Sequence, residues 1–197
     1  MNDIDGYRQQ LSEYSHRAFQ RHLVSGTGGN LSLRIPETDT VLVTPTGISL
    51  AEVQPDENIL MNLAGDVIES PKGLKSSKET GFHLAAYNLK PEIGGIAHVH
   101  PPYATAYANK ASPLPLATIS AQVILKHVPC IECFPPGSLE LRDCVIDGIK
   151  QNSEACCILM KAHGILAMGR DLRHAYYIAD LTEDTAKIAY ITATITG

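Results

Sequence analysis

Three glycines crowd into Ser25-Gly26-Thr27-Gly28-Gly29-Asn30, and no helix or strand passes through such a segment unbroken. Glycine enters left-handed backbone conformations that other residues resist, and its bare backbone leaves N–H groups open. Before the break, residues 4–23 set Ile4, Tyr7, Leu11, Tyr14 and Ala18 on one face of an amphipathic helix. After it, Leu31-Ser32-Leu33 alternates as a short strand. Thr40 to Val43 reads as another, ended by the turn Thr44-Pro45-Thr46-Gly47. Residues 58–69 predict a hairpin turning at Ala64-Gly65-Asp66. Ser76-Ser77 can cap a helix from about Lys78 to Leu89.

The second half continues the mixture. Gly94 to Val99 predicts a strand, Pro102 to Lys110 a helix, and Ser138 a cap for a helix reaching about Gln151. Ala155 to Lys161 is an apolar, strand-like run. His163-Gly164 turns it into a further strand, Ile165 to Met168. A last helix starts near Asp171, with Leu172, Ala175, Ile178, Leu181, Ala186 and Ile188 at near-helical spacing. Helices mixed with hairpin-linked strands predict an α/β (α+β) fold with much antiparallel pairing. No linker or repeat divides the chain, so one domain over residues 1–197 is expected.

Composition narrows the function. A formal charge of −5 argues against a nucleic-acid binder that relies on broad positive potential. It leaves room for a small anionic ligand, which a few local donors can hold. The start, Met1-Asn2-Asp3-Ile4-Asp5, lacks the basic and apolar stretches of a signal peptide, and no apolar run approaches the roughly 18 residues of a membrane span. A cytoplasmic protein is expected. Its five cysteines then read as free thiols. Cys130-x-x-Cys133 is half of a structural zinc site at most, and reads as structural or incidental.

His98-Val99-His100 is the strongest local signal. Alternate residues of a strand share a face, so two imidazoles can converge on one ion. An isolated pair is more often solvated or hydrogen-bonded. His163, beside Gly164 at the turn between two apolar runs, is a candidate third ligand, although spacing does not bring it to the others. Three imidazoles with an open fourth position form a catalytic zinc site. Glu79 has a bland reading as a solvated first-turn carboxylate. His83, four residues on, reads as a packing residue of the same helix.

Gly26 to Asn30 is neither a P-loop nor a dinucleotide fingerprint, for it lacks the Lys-Ser/Thr ending and precedes a strand. Bare amides with the Thr27 and Asn30 side chains still suit an anion. Thr46-Gly47 and Ser77-Lys78 are two more donor-rich turns. Each alone is an ordinary turn; together, in a chain with these histidines, they suggest an anion site.

In order, Gly26 to Ser32, Thr44 to Gly47, Ser76 to Glu79, His98 to His100 and Ala162 to Gly164 resemble the motifs of the class II aldolase/adducin family. The resemblance spans about residues 10–190. It implies a central, largely antiparallel sheet flanked by helices, and reversible retro-aldol cleavage of a phosphorylated ketose such as fuculose 1-phosphate. The products would be dihydroxyacetone phosphate and an aldehyde. It implies Zn2+ on His98, His100 and His163, with Mn2+, Co2+ or Fe2+ as other divalent choices. Glu79 is the implied acid/base, able to approach the metal. Thr27, Gly29, Asn30, Thr46, Gly47, Ser77 and Lys78 fall at the phosphate turns. Related enzymes are homotetramers with active sites between subunits.

Three departures qualify this. Lys78 stands where fuculose-phosphate aldolase has serine, and is similar to 3-oxo-tetronate 4-phosphate decarboxylase. Leu116-Ala117-Thr118-Ile119 stands where a catalytic tyrosine is expected, and the sequence ends at Gly197 without a second one. A decarboxylase of a 3-oxo sugar-acid phosphate is therefore the alternative enzyme. An adducin-head-like binding module is the non-catalytic one.

Overall fold

The computed structural model describes residues 3–196. Eight strands are joined in one sheet: β1 (Asn30–Arg34), β2 (Thr40–Val43), β3 (Ile59–Asn62), β4 (Val67–Glu69), β5 (Gly95–Val99), β6 (Cys130–Ile131), β7 (Cys157–Met160) and β8 (Gly164–Gly169). Their order is β4-β3-β2-β1-β5-β8-β7-β6. Every pairing is antiparallel except β6 with β7.

Six α-helices cover the sheet: α1 (Ile4–Gln20), α2 (Thr80–Leu89), α3 (Pro102–Ala108), α4 (Ile119–Ile124), α5 (Leu139–Gln151) and α6 (Leu172–Thr196). The strand alternation decides which face each helix meets. Leu31 and Leu33, Ala97 and Val99, and Ile165 and Ala167 pack with residues of α1, α3 and α6. Val41 and Val43, Ile96, and Leu166 and Met168 pack instead with Phe82 and Tyr87 of α2 and Leu141 and Val145 of α5. Strands buried on both faces explain the near-continuous apolar runs at 155–160 and 165–168. No helix among the described residues is long and apolar enough to cross a membrane.

The expected elements form, with adjusted ends. α1 stops at Gln20 because the chain turns at His22, φ 59°. α2 starts at Thr80 rather than Lys78, since Ser77 spends its carbonyl on Thr80 N–H and its hydroxyl on Glu79 N–H. α3 ends at Ala108, before Ala111 at φ 50°. Ser138 does cap α5, accepting from Leu141 N–H. The one unforeseen α-helix among the described residues is α4, capped by Thr118 on Ala121 N–H. It is only six residues long, its large apolar residues Ile119, Val123 and Ile124 face outward and only Ala121 is buried, so it carries little core-facing signal.

Candidate active site

β5 lies mid-sheet between β1 and β8, with Asn30 and Leu166 flanking His98. The pleat turns His98 to the α2 face, where it is fully buried against the edge of Phe82, with ring centroids 5.2 Å apart. Its Nδ1 lies 3.0 Å from the Ile165 carbonyl. A carbonyl oxygen only accepts, so Nδ1 carries the proton and Nε2 presents a lone pair.

His100 follows the last residue of β5 and is held by its own N–H, which donates to the Leu23 carbonyl at 2.9 Å. Two glycines make room for its ring. A Cβ on Gly164 would lie 2.6 Å from His100 Cδ2, and one on Gly28 would lie 3.0 Å from its Nδ1. His163 sits on the tight β7–β8 turn, which Ala162 closes at φ 55°. The three rings have centroids 4.8 to 5.1 Å apart.

Glu79 leads into α2 and is only 7% exposed, so the solvated first-turn reading fails. Its Oε2 accepts from Asn30 Nδ2 at 2.8 Å and lies 3.2 Å from His98 Nε2; its Oε1 lies 3.0 Å from His163 Nε2. One ligand atom from each of Glu79, His98, His100 and His163 lies within 4.8 Å of the others.

These four residues fit a divalent metal. His98 Nε2 points its lone pair at a carboxylate oxygen and at His100 Nε2, 3.0 Å away. Facing lone pairs at that distance repel unless a cation or a proton lies between them. Tetrahedral zinc at 2.0–2.1 Å would set its ligand atoms roughly 3.3 Å apart, close to these separations. Without a metal the cluster supplies the charge itself. Burial raises the Glu79 pKa, but contacts with His163 and His98 overcome this and hold it far below the carboxylate range. Burial lowers that of His163, yet contacts with Cys133 and Glu79 push it up to about 9. Burial and the other two imidazoles hold His100 down at about 3.

A cleft of about 230 Å3 opens beside the cluster. Its wall includes Thr27, Gly29, Asn30, Thr46, Gly47, Ser77 and Lys78, all the expected anion-turn residues, together with Glu79, His100 and His163. The turns are stitched together: Pro45 bridges to Ser76, and Thr46 N–H donates to the Lys75 carbonyl at 2.9 Å. Asn30 lines the cleft and also donates from its amide nitrogen to Glu79. Pro136 on the loop after β6 lines the cleft too, and Cys133 on that loop touches His163; neither was anticipated. The pair Cys130-x-x-Cys133 was the only signal pointing there. His83 keeps its packing role, buried against Ser32 Oγ at 2.7 Å.

Residues 9–190 match the family described as Class II Aldolase and Adducin N-terminal domain. The chain belongs to this family. Among its class II aldolase relatives is an L-fuculose phosphate aldolase of Methanococcus maripaludis, 32% identical over 88% of this chain and 90% of the relative. A solved L-fuculose 1-phosphate aldolase superposes with a TM-score of 0.87 at 32% identity, covering 96% of this chain and 87% of that one. The family also spans other chemistry: an L-ribulose-5-phosphate 4-epimerase of Salmonella paratyphi C is 30% identical over 93% of this chain and 84% of its own. The chain is thus a class II aldolase by family and fold, with a Glu/His cluster suited to a divalent metal.

Proposed function

We propose that this protein is a zinc-dependent lyase of the cytoplasm that reversibly cleaves a phosphorylated ketose, with fuculose 1-phosphate as the model substrate, to dihydroxyacetone phosphate and an aldehyde. The observation that carries the reading is the convergence of Glu79, His98, His100 and His163 on the cleft walled by the anion-binding turns. His98, His100 and His163 would hold the ion; bound there, it would supply Lewis-acid stabilisation of negative charge on the substrate carbonyl oxygen.

The protein's own groups do the rest. The hydroxyls of Thr27, Thr46 and Ser77 and the backbone amides of Gly29 and Gly47 grip the phosphate, helped by the N-terminal end of α2. Lys78, also on the cleft wall, adds a positive charge. Glu79 is ionised at neutral pH, which suits it to remove the proton from carbon in the condensation direction and to return it after cleavage. Asn30 keeps that carboxylate aimed.

Glu79→Gln keeps the shape but not the base. We expect it to retain bound metal while turnover falls about 10²–10⁴-fold, read from product formation and metal content of the same sample. Full activity in Glu79→Gln would remove the carboxylate from the chemistry. A panel of phosphorylated ketoses and 3-oxo acid phosphates identifies the reaction. Lys78 supports decarboxylation as a second reading, and CO₂ release in place of an aldehyde product would select it.

A further inference from the structure

We propose that Cys133 is a positioning residue for the metal ligand His163. The proposal rests on the metal-centre reading above. Its starting point is a side-chain contact of 2.9 Å between Cys133 Sγ and His163 Nδ1. The opposite ring nitrogen, Nε2, faces Glu79 Oε1 and the cluster. A neutral imidazole that offers Nε2 to a cation must carry its proton on Nδ1, so the sulfur is the acceptor of that N–H.

The sulfur is free to accept. Cys133 Sγ also lies 3.6 Å from the Phe134 carbonyl, where the thiol hydrogen has an acceptor of its own. Donation to Phe134 and acceptance from His163 use the two capacities of one thiol.

The contact is built into the fold. Cys133 follows β6, and β6 pairs with β7, the strand that runs into the His163 turn. Lys161 N–H donates to the Ile131 carbonyl at 3.0 Å, and Lys161 Nζ meets Glu132 Oε1 at 2.9 Å. The loop carrying the sulfur and the turn carrying the imidazole are therefore fastened together just ahead of the contact. The neighbouring ligand His98 has its Nδ1 fixed by a backbone carbonyl, which no substitution removes. His163 depends on a side chain instead. A partner that orients a ligating imidazole and fixes its tautomer typically governs metal affinity by 10–100-fold.

The test titrates zinc and cobalt, each against a competing chelator, into metal-free protein. Cys133→Ala should weaken binding of both ions by about 10-fold or more, and should change the visible absorption of the cobalt form. Cys133→Ser keeps a small acceptor and should recover most of the affinity and the wild-type spectrum. Should the alanine variant fail to fold, Cys133→Val, which also lacks an acceptor, replaces it. Wild-type affinity in Cys133→Ala, or a serine variant as weak as the alanine one, overturns the proposal. His98→Ala separates the two readings. If it binds metal as tightly as wild type, the metal centre itself is wrong; if it loses metal while Cys133→Ala does not, only the role of Cys133 falls.

Discussion

Glu79 at the N-cap of α2 and His83 and Tyr87 within the helix follow at intervals of four residues, all buried, and each meets the sheet differently. Glu79 ends among the imidazoles, whereas His83 Nδ1 and Tyr87 Oη both meet Ser32 Oγ, at 2.7 and 2.9 Å. His83 Nε2 is buried without a partner, and burial first, then the charge of His98, pushes its pKa down from 6.5 to about 3. Above pH 6.5 both folded and unfolded chains keep His83 neutral. Below it the unfolded chain takes up a proton that the folded one refuses, so stability falls toward pH 3. This single group costs up to about 1.4 kcal/mol per pH unit in that window. Urea unfolding of His83→Gln across the same window should show a shallower acid limb than wild type. An unchanged slope would mean that His83 is not the group responsible. At this scale the sequence was partly readable. His98 and His100 announce themselves by their spacing, and His163 by its glycine. Cys133 did not, because its partner lies 30 positions away and a thiol is common in ordinary packing.

At the scale of elements, the site depends on how closely β8 approaches β5. A Cβ at Gly164 would stand 2.4 Å from the Val99 carbonyl oxygen as well as against His100. Backbone cannot yield as a flexible side chain can, so the strands must part just where two of the proposed ligands meet. Gly164→Ala should therefore cost about 1–3 kcal/mol and loosen metal binding together. Thermal unfolding combined with a metal titration reads both; a variant with wild-type affinity would show that the strand separation is absorbed elsewhere. The sequence foretold this hairpin through its two apolar runs and the intervening turn. It foretold the start of α2 less well, because Ser77 offers both a cap and a turn, and only tertiary context selects between them. The pairing of β1 with β5 had no local signal, since strands so distant in sequence are brought together by the whole sheet.

For the whole molecule, the exposed apolar side chains are informative. Ile119, Val123 and Ile124 on α4 stand 79%, 65% and 50% exposed, and Tyr190, Ile191 and Ile195 near the end of α6 are exposed as well. Such surface is consistent with subunit contact. The homotetramer expected from the family resemblance would cover surface of this kind. Sedimentation equilibrium should give four times the 21.3 kDa of one chain. A monomeric mass at assay concentration would leave each cleft to work alone.

The four residues of the cluster come from the head of α2, the end of β5 and the β7–β8 turn, so they are gathered only after the two halves of the sheet have joined. A chain still emerging from the ribosome, with its last third unmade, has no cage to offer. The metal affinity proposed for the cluster should therefore appear only once the β7–β8 turn has docked beside β5.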